Sequence, residues 1–450
     1  MLSNNISYNE KGELLFAGQS VAALAETYGT PLYLMDENRI RENCRTYLRA
    51  FGDHLPGKPS SASKAASFLR IYQIMAEEGM DADVVSGGEL YTAKKAGFPM
   101  EHILFHGNNK TDEEIALGLT YGVGLFVVDG EDELRALSKQ AQAMGKVQKV
   151  LLRLTPGIDP HTYEAVSTGK VDSKFGTAIE TGQAMPFIRL ALSLPGIELA
   201  GFHCHVGSQV FGEDVYQRTC DVMIPFMAQV REELGYTAKI FDIGGGYGVP
   251  YVETDGQVDI YARFGEVADH LKGLCREDNF PLPYFMMEPG RSIVADAGMT
   301  VYRVGSVKRI PGYKNYVSVD GGMTDNPRYA LYGAKYTVLP AKRGQGDGSP
   351  VTENENRDVT GEPSPCHIYD LVGKCCESGD IVQPDVCLPD NIARGDLVCV
   401  CTTGAYNYSM ASNYNRVPRP ALVLLRDDTA FVAVRRETLE DLVGLDEKMT

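Results

Sequence analysis

Short apolar runs alternate with longer amphipathic stretches from about residue 31 to 288. The runs end at SSAS (60–63), ADVVS (82–86), ILFHG (103–107), LFVVD (125–129), VLLRL (150–154), AGFHCHVGS (200–208), IFDIGGG (240–246) and FMMEPG (285–290). Their length and composition read as strands, and the stretches between them read as helices. In residues 131–145, for example, Leu134, Leu137, Ala141 and Met144 recur at helical spacing, and Gly145 can end the helix. Eight strand-then-helix units over roughly 250 residues predict a (β/α)8, TIM-like barrel. The segment between the fifth and sixth strands is partly irregular (HTYEAVSTGKVDSKFG, 161–176).

After Gly290 the helical pattern stops. TVYRVGSVKRI, NYVSVDGGM, LVCVCTTG and ALVLLRDDTAFVAVRR alternate with period two, as a mostly antiparallel β domain does. The first 30 residues, with a turn at Lys11-Gly12, read as a hairpin joining that domain. The expected organisation is therefore α/β: a barrel at 31–288, with 1–30 and 289–450 forming a β-sandwich or β-barrel domain that completes the site. Residues 341–365, rich in Gly, Pro, Asn and Glu, read as an exposed loop within the β domain.

Composition narrows the class. A chain of 450 residues is too long for one small module, and 44% hydrophobic with 23% charged residues excludes wholesale disorder. With 43 basic and 60 acidic residues the net charge is −17, and no basic stripe offsets it, which argues against nucleic acid. Apolar runs such as 123-VGLFVV-128 fall far short of the ~20 residues that span a bilayer, so no membrane role is expected. MLSNNISYNEKG has neither a basic nor an apolar leader segment, which points to the cytoplasm and to ten reduced cysteines.

Barrel enzymes collect their chemistry at the carboxyl ends of strands. Here those ends carry Lys64, Asp83, His106 to Asn109, Arg153, His203, His205, Asp242, Gly244 to Gly246, Glu288 and Arg291. DIGGGYG is not a dinucleotide fingerprint, because Val249 stands where the last glycine belongs. Three glycines after a strand let backbone N–H groups approach an anion, so with EPGR and Gly207-Ser208 they suggest a phosphate site; a tight turn without a ligand is the alternative. Lys64 is either a solvated lysine or a Schiff-base former. Joined to a phosphate cradle and a carboxylate, the second reading implies pyridoxal 5′-phosphate. His203 and His205 alternate around Cys204, so a strand would aim both at one face. They could stack on a cofactor, bind a metal with Asp242 and Glu288, or simply be buried. In 373-GKCCESGD-380 one thiol is either a proton donor or a core cysteine. Arg328, Tyr332 and Tyr406 are either a carboxylate clamp or surface residues.

In order, SASKA, DVVSGGEL, HGNNK, TP…H…SKFG, GFHCHVGSQ, DIGGGYG, EPGRSIVADAG, DGGMTDNPRYALY, GKCCESGD and GAYNYSMASNYN resemble the fold-type III, alanine racemase-like pyridoxal-phosphate decarboxylases over nearly the whole chain. CESGD and NPRYALY point, within them, to the branch that acts on meso-2,6-diaminopimelate, giving L-lysine and CO2. The resemblance implies that Lys64 holds the cofactor aldehyde and that His205 stacks on its ring. Asp83 would belong to the cofactor site. Ser208, Gly244, Gly245, Gly246, the Glu288-Pro289-Gly290-Arg291 backbone and Tyr406 would hold the phosphate, and Glu288 would pair with the ring nitrogen. Arg291, Arg328, Tyr332 and Tyr406 would bind substrate by its distal carboxylate, and Glu377 by its distal ammonium; Cys376 would supply the proton that replaces CO2. It also implies a homodimer whose subunits share active sites, and no bound metal. Ser61 departs from the family's usual Tyr, which puts one packing contact under the cofactor in question. A decarboxylase of a related substrate, such as carboxynorspermidine, and a metal-dependent barrel hydrolase are the alternatives.

Overall fold

The computed structural model describes residues 3–158, 173–212, 214–342 and 366–448. Most of the irregular 161–176 segment and of the 341–365 loop lies outside the described residues. The chain divides into two compact units, Arg41–Val249 with Gly256–Ile293, and Met1–Ile40 with Pro250–Asp255 and Val294–Thr450.

The first unit is the barrel. Its strands are β1 (Gly57–Ala62), β2 (Asp81–Val84), β3 (Ile103–Phe105), β4 (Leu125–Val128), β5 (Gln148–Thr155), β6 (Ile197–His203), β7 (Ile240–Asp242) and β8 (Tyr284–Met287). Each pairs in parallel with the next, and β8 pairs with β1, so the sheet closes. All eight sequence runs are these strands. Leu104, Val127, Leu151, Ala200 and Met286 fill the interior at 4% exposure or less, so the barrel is a packed core with chemistry confined to its rims. At the amino-terminal rim Asp81 is paired with Lys58 and lies 3.0 Å from His102.

The helix after β4 runs Glu131–Ala143 and buries Leu134, Leu137 and Ala141 completely. Met144 departs from the expected stripe. It caps the helix and is 41% exposed, because the chain turns away at Gly145.

In the second unit Leu32–Asp36 pairs with Gly298–Arg309 and Ala421–Arg426. It falls inside the segment expected for the barrel, yet finds its partners here; an apolar run does not encode which strands it will pair with. Six of the eight strand pairings in this sheet are antiparallel. The amino-terminal hairpin pairs Ile6–Tyr8 with Leu14–Phe16, and Leu14 bonds to Ala341, so it joins this unit as expected. Cys366–Val372 and Ile381–Pro389 form a second hairpin whose loop is GKCCESGD. Cys366 and Cys387 are joined by a disulfide across that hairpin, which corrects the expectation of ten reduced thiols. Adjacent antiparallel strands bring the two residues within 5.8 Å at Cα, inside bonding reach.

Candidate active site

The carboxyl rim of the barrel gathers the chemistry. Lys64 stands exposed in a short turn, Ser63–Ala65, directly after β1, with buried Ser63 and Ala65 on either side. Its charge acts on Asp83, Glu89 and His205. Asp83, inside β2, accepts the backbone N–H of Ser63 at 3.3 Å and so fixes the turn that carries Lys64.

The glycine loop follows β7. Asp242 accepts the N–H of Gly244 at 2.9 Å, and Gly244 (φ 74°) and Gly246 (φ 127°) occupy the left-handed region. A methyl group on Gly244 would lie 2.7 Å from His205 Nδ1, and one on Gly246 would lie 2.2 Å from the carbonyl oxygen of Gly207. The loop is thus wedged against the segment after β6, with Ser208 beside it. Arg291, which opens the helix after EPGR, donates from Nη2 to Ser208 Oγ at 2.9 Å. Pro289 accepts the N–H of Ala62, and a methyl on Gly290 would meet Ala62 Cβ at 2.8 Å, so EPGR packs on the lysine turn.

The strand premise for the two histidines fails. β6 ends at His203, which is 1% exposed, and His205 lies beyond the strand. His203 Nε2 is 3.2 Å from Glu288 Oε2 instead. His106, just past β3, brings Nε2 to 2.5 Å from Glu288 Oε1. The potential ligand set among the described residues is therefore His106, His203 and Glu288, their atoms within 4.8 Å, and not His203, His205, Asp242 and Glu288. His106 stands among the strand-end residues of the sequence, but its meeting with His203 at Glu288 depends on how β3, β6 and β8 converge.

Burial and neighbouring charge sort these groups. Burial, then the Glu288 charge, holds the Asp83 and Asp242 carboxyls well above the usual carboxylate range. Burial alone would raise Glu288 too, but His106 and His203 reverse it and hold it well below that range. Burial pushes His106 down to about 4 and lowers His203 and His205. These shifts favour uncharged imidazoles around a charged Glu288. A histidine whose folded pKa is depressed contributes stability above its unfolded value, ~6.5, and loses it as pH falls toward about 4. Accordingly His106→Asn is expected to flatten the fall in melting temperature between pH 6.5 and 4; an unchanged slope would contradict it.

The second unit holds the remaining expected residues. Arg328 is 8% exposed, at the start of a turn of helix Arg328–Tyr332, so it is no surface arginine. Its guanidinium carbon lies 4.8 Å from the Tyr406 ring centroid and 5.5 Å from that of Tyr332. Cys376 and Glu377 are exposed on the hairpin loop, and burial pushes the Cys375 thiol up to about 11. Buried Asp380 anchors this loop by accepting the N–H groups of Cys375 at 2.7 Å and Met323 at 2.6 Å. A methyl on Gly373 or Gly322 would fall within 2.4 Å of its carboxylate, so only glycine admits that approach. Asp380 thus joins the CCESGD loop to the segment leading to Arg328, a role the sequence did not disclose. Cys376 N–H also donates to Asn415 at 2.9 Å.

Among the described residues no helix is long and apolar enough to cross a membrane. Residues 37–295 match the family described as pyridoxal-dependent decarboxylase, pyridoxal binding domain. The diaminopimelate decarboxylase of Bacillus subtilis (strain 168) is 42% identical over 439 residues, covering 97% of this chain and 96% of that one. That of Staphylococcus aureus (strain COL) is 39% identical over 444 residues, covering 98% and 100%. The crystal structure of diaminopimelate decarboxylase from M. jannaschii in complex with L-lysine superposes with a TM-score of 0.88 at 32% identity, covering 100% and 99%.

Proposed function

The chain belongs to the pyridoxal-dependent decarboxylases, among the diaminopimelate decarboxylases, and from that premise we propose that it converts meso-2,6-diaminopimelate to L-lysine and CO2. The observation that carries the reading is the convergence of Lys64, the Gly244–Gly246 loop with Ser208 and Arg291, and the Glu288 carboxylate on one barrel rim. These residues fit pyridoxal 5′-phosphate: an amine for its aldehyde, a glycine cradle with a hydroxyl and a guanidinium for its phosphate, and an anion for its ring nitrogen. When bound, the cofactor supplies an electron sink for the pair left behind as CO2 departs.

Lys64 would hold the aldehyde; Ser208, Gly244, Gly245, Gly246, the backbone of Pro289 and Gly290, Arg291 and Tyr406 would hold the phosphate, and His205 would stack on the ring. Asp83 keeps the lysine turn in place through Ser63. Glu288, as an anion, would keep a proton on the ring nitrogen. Arg291, Arg328, Tyr332 and Tyr406 would bind the substrate's distal carboxylate and Glu377 its distal ammonium. As the reacting carbon loses its carboxylate as CO2 and keeps the electron pair, Cys376 would deliver the proton that takes its place.

CO2 release measured across diaminopimelate stereoisomers, ornithine, arginine and carboxynorspermidine tests the substrate. Turnover chiefly of meso-diaminopimelate is expected, and turnover chiefly of any other would overturn the reading. Glu377→Ala should lose diaminopimelate turnover while keeping the cofactor's visible band, since its carboxylate meets substrate only; losing the band would contradict that role.

We further place the enzyme in the cytoplasm as a homodimer with shared sites. The exposure of Cys376 and Glu377 on a hairpin loop supports this, because a proton donor working away from bulk water needs a second surface to cover it. Inactive Lys64→Ala and Cys376→Ala proteins, dissociated and reassociated together, should regain about one quarter of the wild-type sites, because half the reassorted twofold dimers carry one intact site. No regain in mixed dimers verified by mass would show that each site is built from one chain.

A further inference from the structure

Glu288 is held from two directions. His106 Nε2 approaches Oε1 to 2.5 Å, and His203 Nε2 approaches Oε2 at 3.2 Å, so each oxygen has its own imidazole. The two rings meet edge to face, 4.9 Å apart at an interplanar angle of 73°. They come from the ends of β3 and β6, while the carboxylate comes from the end of β8. All three side chains are buried, at 7%, 1% and 9% exposure. His203 Nδ1 has no hydrogen-bond partner among the described residues. That favours the tautomer with the proton on Nε2, because a buried unpaired acceptor costs less than a buried unpaired donor.

The loop bearing His106 is itself fixed. The Lys110 ammonium, fully buried, donates to the Gly107 carbonyl at 3.0 Å, to the Val127 carbonyl at 2.8 Å and to Glu133 at 2.7 Å. HGNNK is thereby tied to β4 and to the helix Glu131–Ala143.

We propose that His106 and His203 are positioning residues that clamp Glu288, one oxygen each, as the single anion facing the cofactor's ring nitrogen, with Lys110 setting the clamp. The proposal rests on the functional reading above and goes beyond it, because neither histidine touches cofactor or substrate in that reading. Several other charged or titratable groups act on this carboxylate: Asp83 from β2, Arg153 from β5, Cys204 and His205 after β6 and Asp242 from β7. Three carboxyl groups share this rim, and they cannot all ionise out of water. Asp83 and Asp242 each accept one backbone N–H, whereas Glu288 is hydrogen-bonded to His203 through one oxygen and in close polar contact with His106 through the other. The clamp therefore decides which of the three carries the charge. Without it Glu288 would take up a proton, and a neutral acid cannot keep a proton on the ring nitrogen.

The test uses the holoenzyme loaded with ring-15N pyridoxal 5′-phosphate. In the unsubstituted protein the nitrogen resonance should be that of a protonated ring. In the His106→Leu, His203→Leu double variant it should move to the unprotonated position, and kcat should fall about 10–100-fold with KM nearly unchanged. His106→Asn with His203→Gln, which restores N–H donors, should recover the protonated signal. A protonated signal in a folded double-leucine variant would overturn the proposal. If that variant does not fold, infrared difference spectra of the unsubstituted protein against Glu288→Gln decide. Loss of an ionised carboxylate band supports the clamp, and loss of a carboxylic-acid band overturns it. The infrared measurement needs no cofactor, so a protein that fails to bind cofactor defeats the functional reading and leaves the clamp under its own test.

Discussion

Lys64→Ala is expected to lower kcat by about 10^4-fold or more, an increase of about 5.4 kcal/mol in the barrier, while leaving the fold intact. Lys64 is exposed, so its truncation removes little packing, and the turn that carries it is fixed through Ser63 and Asp83 rather than through its own side chain. What disappears is the only group in the proposed site that can hold the cofactor aldehyde covalently. The cofactor would still meet Ser208, Arg291 and the glycine loop, so it should bind non-covalently and show the spectrum of the free aldehyde. Absorbance of the reconstituted variant, beside its circular dichroism and its CO2 release, reads both effects. A variant that kept the wild-type band, or turnover within tenfold of wild type, would remove Lys64 from its role. Partial recovery of turnover on adding a small primary amine would show that the missing function is the amine itself.

The barrel was legible because its signal is local. Each strand is a short apolar run, and its carboxyl end is marked by the polar residues that follow, so counting runs located all eight ends. Partner choice is not local. Leu32–Asp36 reads like any barrel strand, yet its hydrogen bonds go to Gly298–Arg309 and Ala421–Arg426. The same limit hid the clamp on Glu288. His106 and His203 carry no sign in sequence that a closed sheet will aim both at one carboxylate, and the strand-alternation argument paired His203 with His205 instead. The disulfide hairpin was missed for a third reason. Pro384 and the two register shifts between its strands blur the period-two pattern, so Cys366 and Cys387 did not read as neighbours. Asp380 was quoted as part of a motif, but its role depends on Gly322 and Gly373 leaving room for its carboxylate, which no spacing rule expresses.

Gly245→Ala should damage both stability and cofactor binding, because at this position there is nowhere for a methyl group to go. Its carbon would sit 2.0 Å from the carbonyl oxygen of Glu288 and 2.8 Å from the carbonyl carbon. Both atoms are backbone, at the end of β8, so relief requires moving one strand end away from the other. That movement strains the Glu288 N–H to Gly244 carbonyl bond (2.9 Å) and the Tyr216 hydroxyl's bond to the Gly245 carbonyl (3.2 Å). Overpacking of this kind costs about 1–3 kcal/mol, which for a unit of this size lowers the melting temperature by roughly 2–12 °C. Displacing the phosphate cradle and Glu288 by about 1 Å should also cost on the order of 10^2-fold in kcat/KM. Gly52→Ala is the control. Gly52 lies within the helix Glu37–His54, and an added methyl there would meet no atom within 4 Å. Helix entropy should make that change stabilising by about 0.5–1 kcal/mol, with turnover unaffected. Thermal melts and cofactor titrations of the two variants side by side separate the effects. If Gly245→Ala melts and binds cofactor like the unsubstituted protein, the close approach of the glycine loop to EPGR does not organise the site.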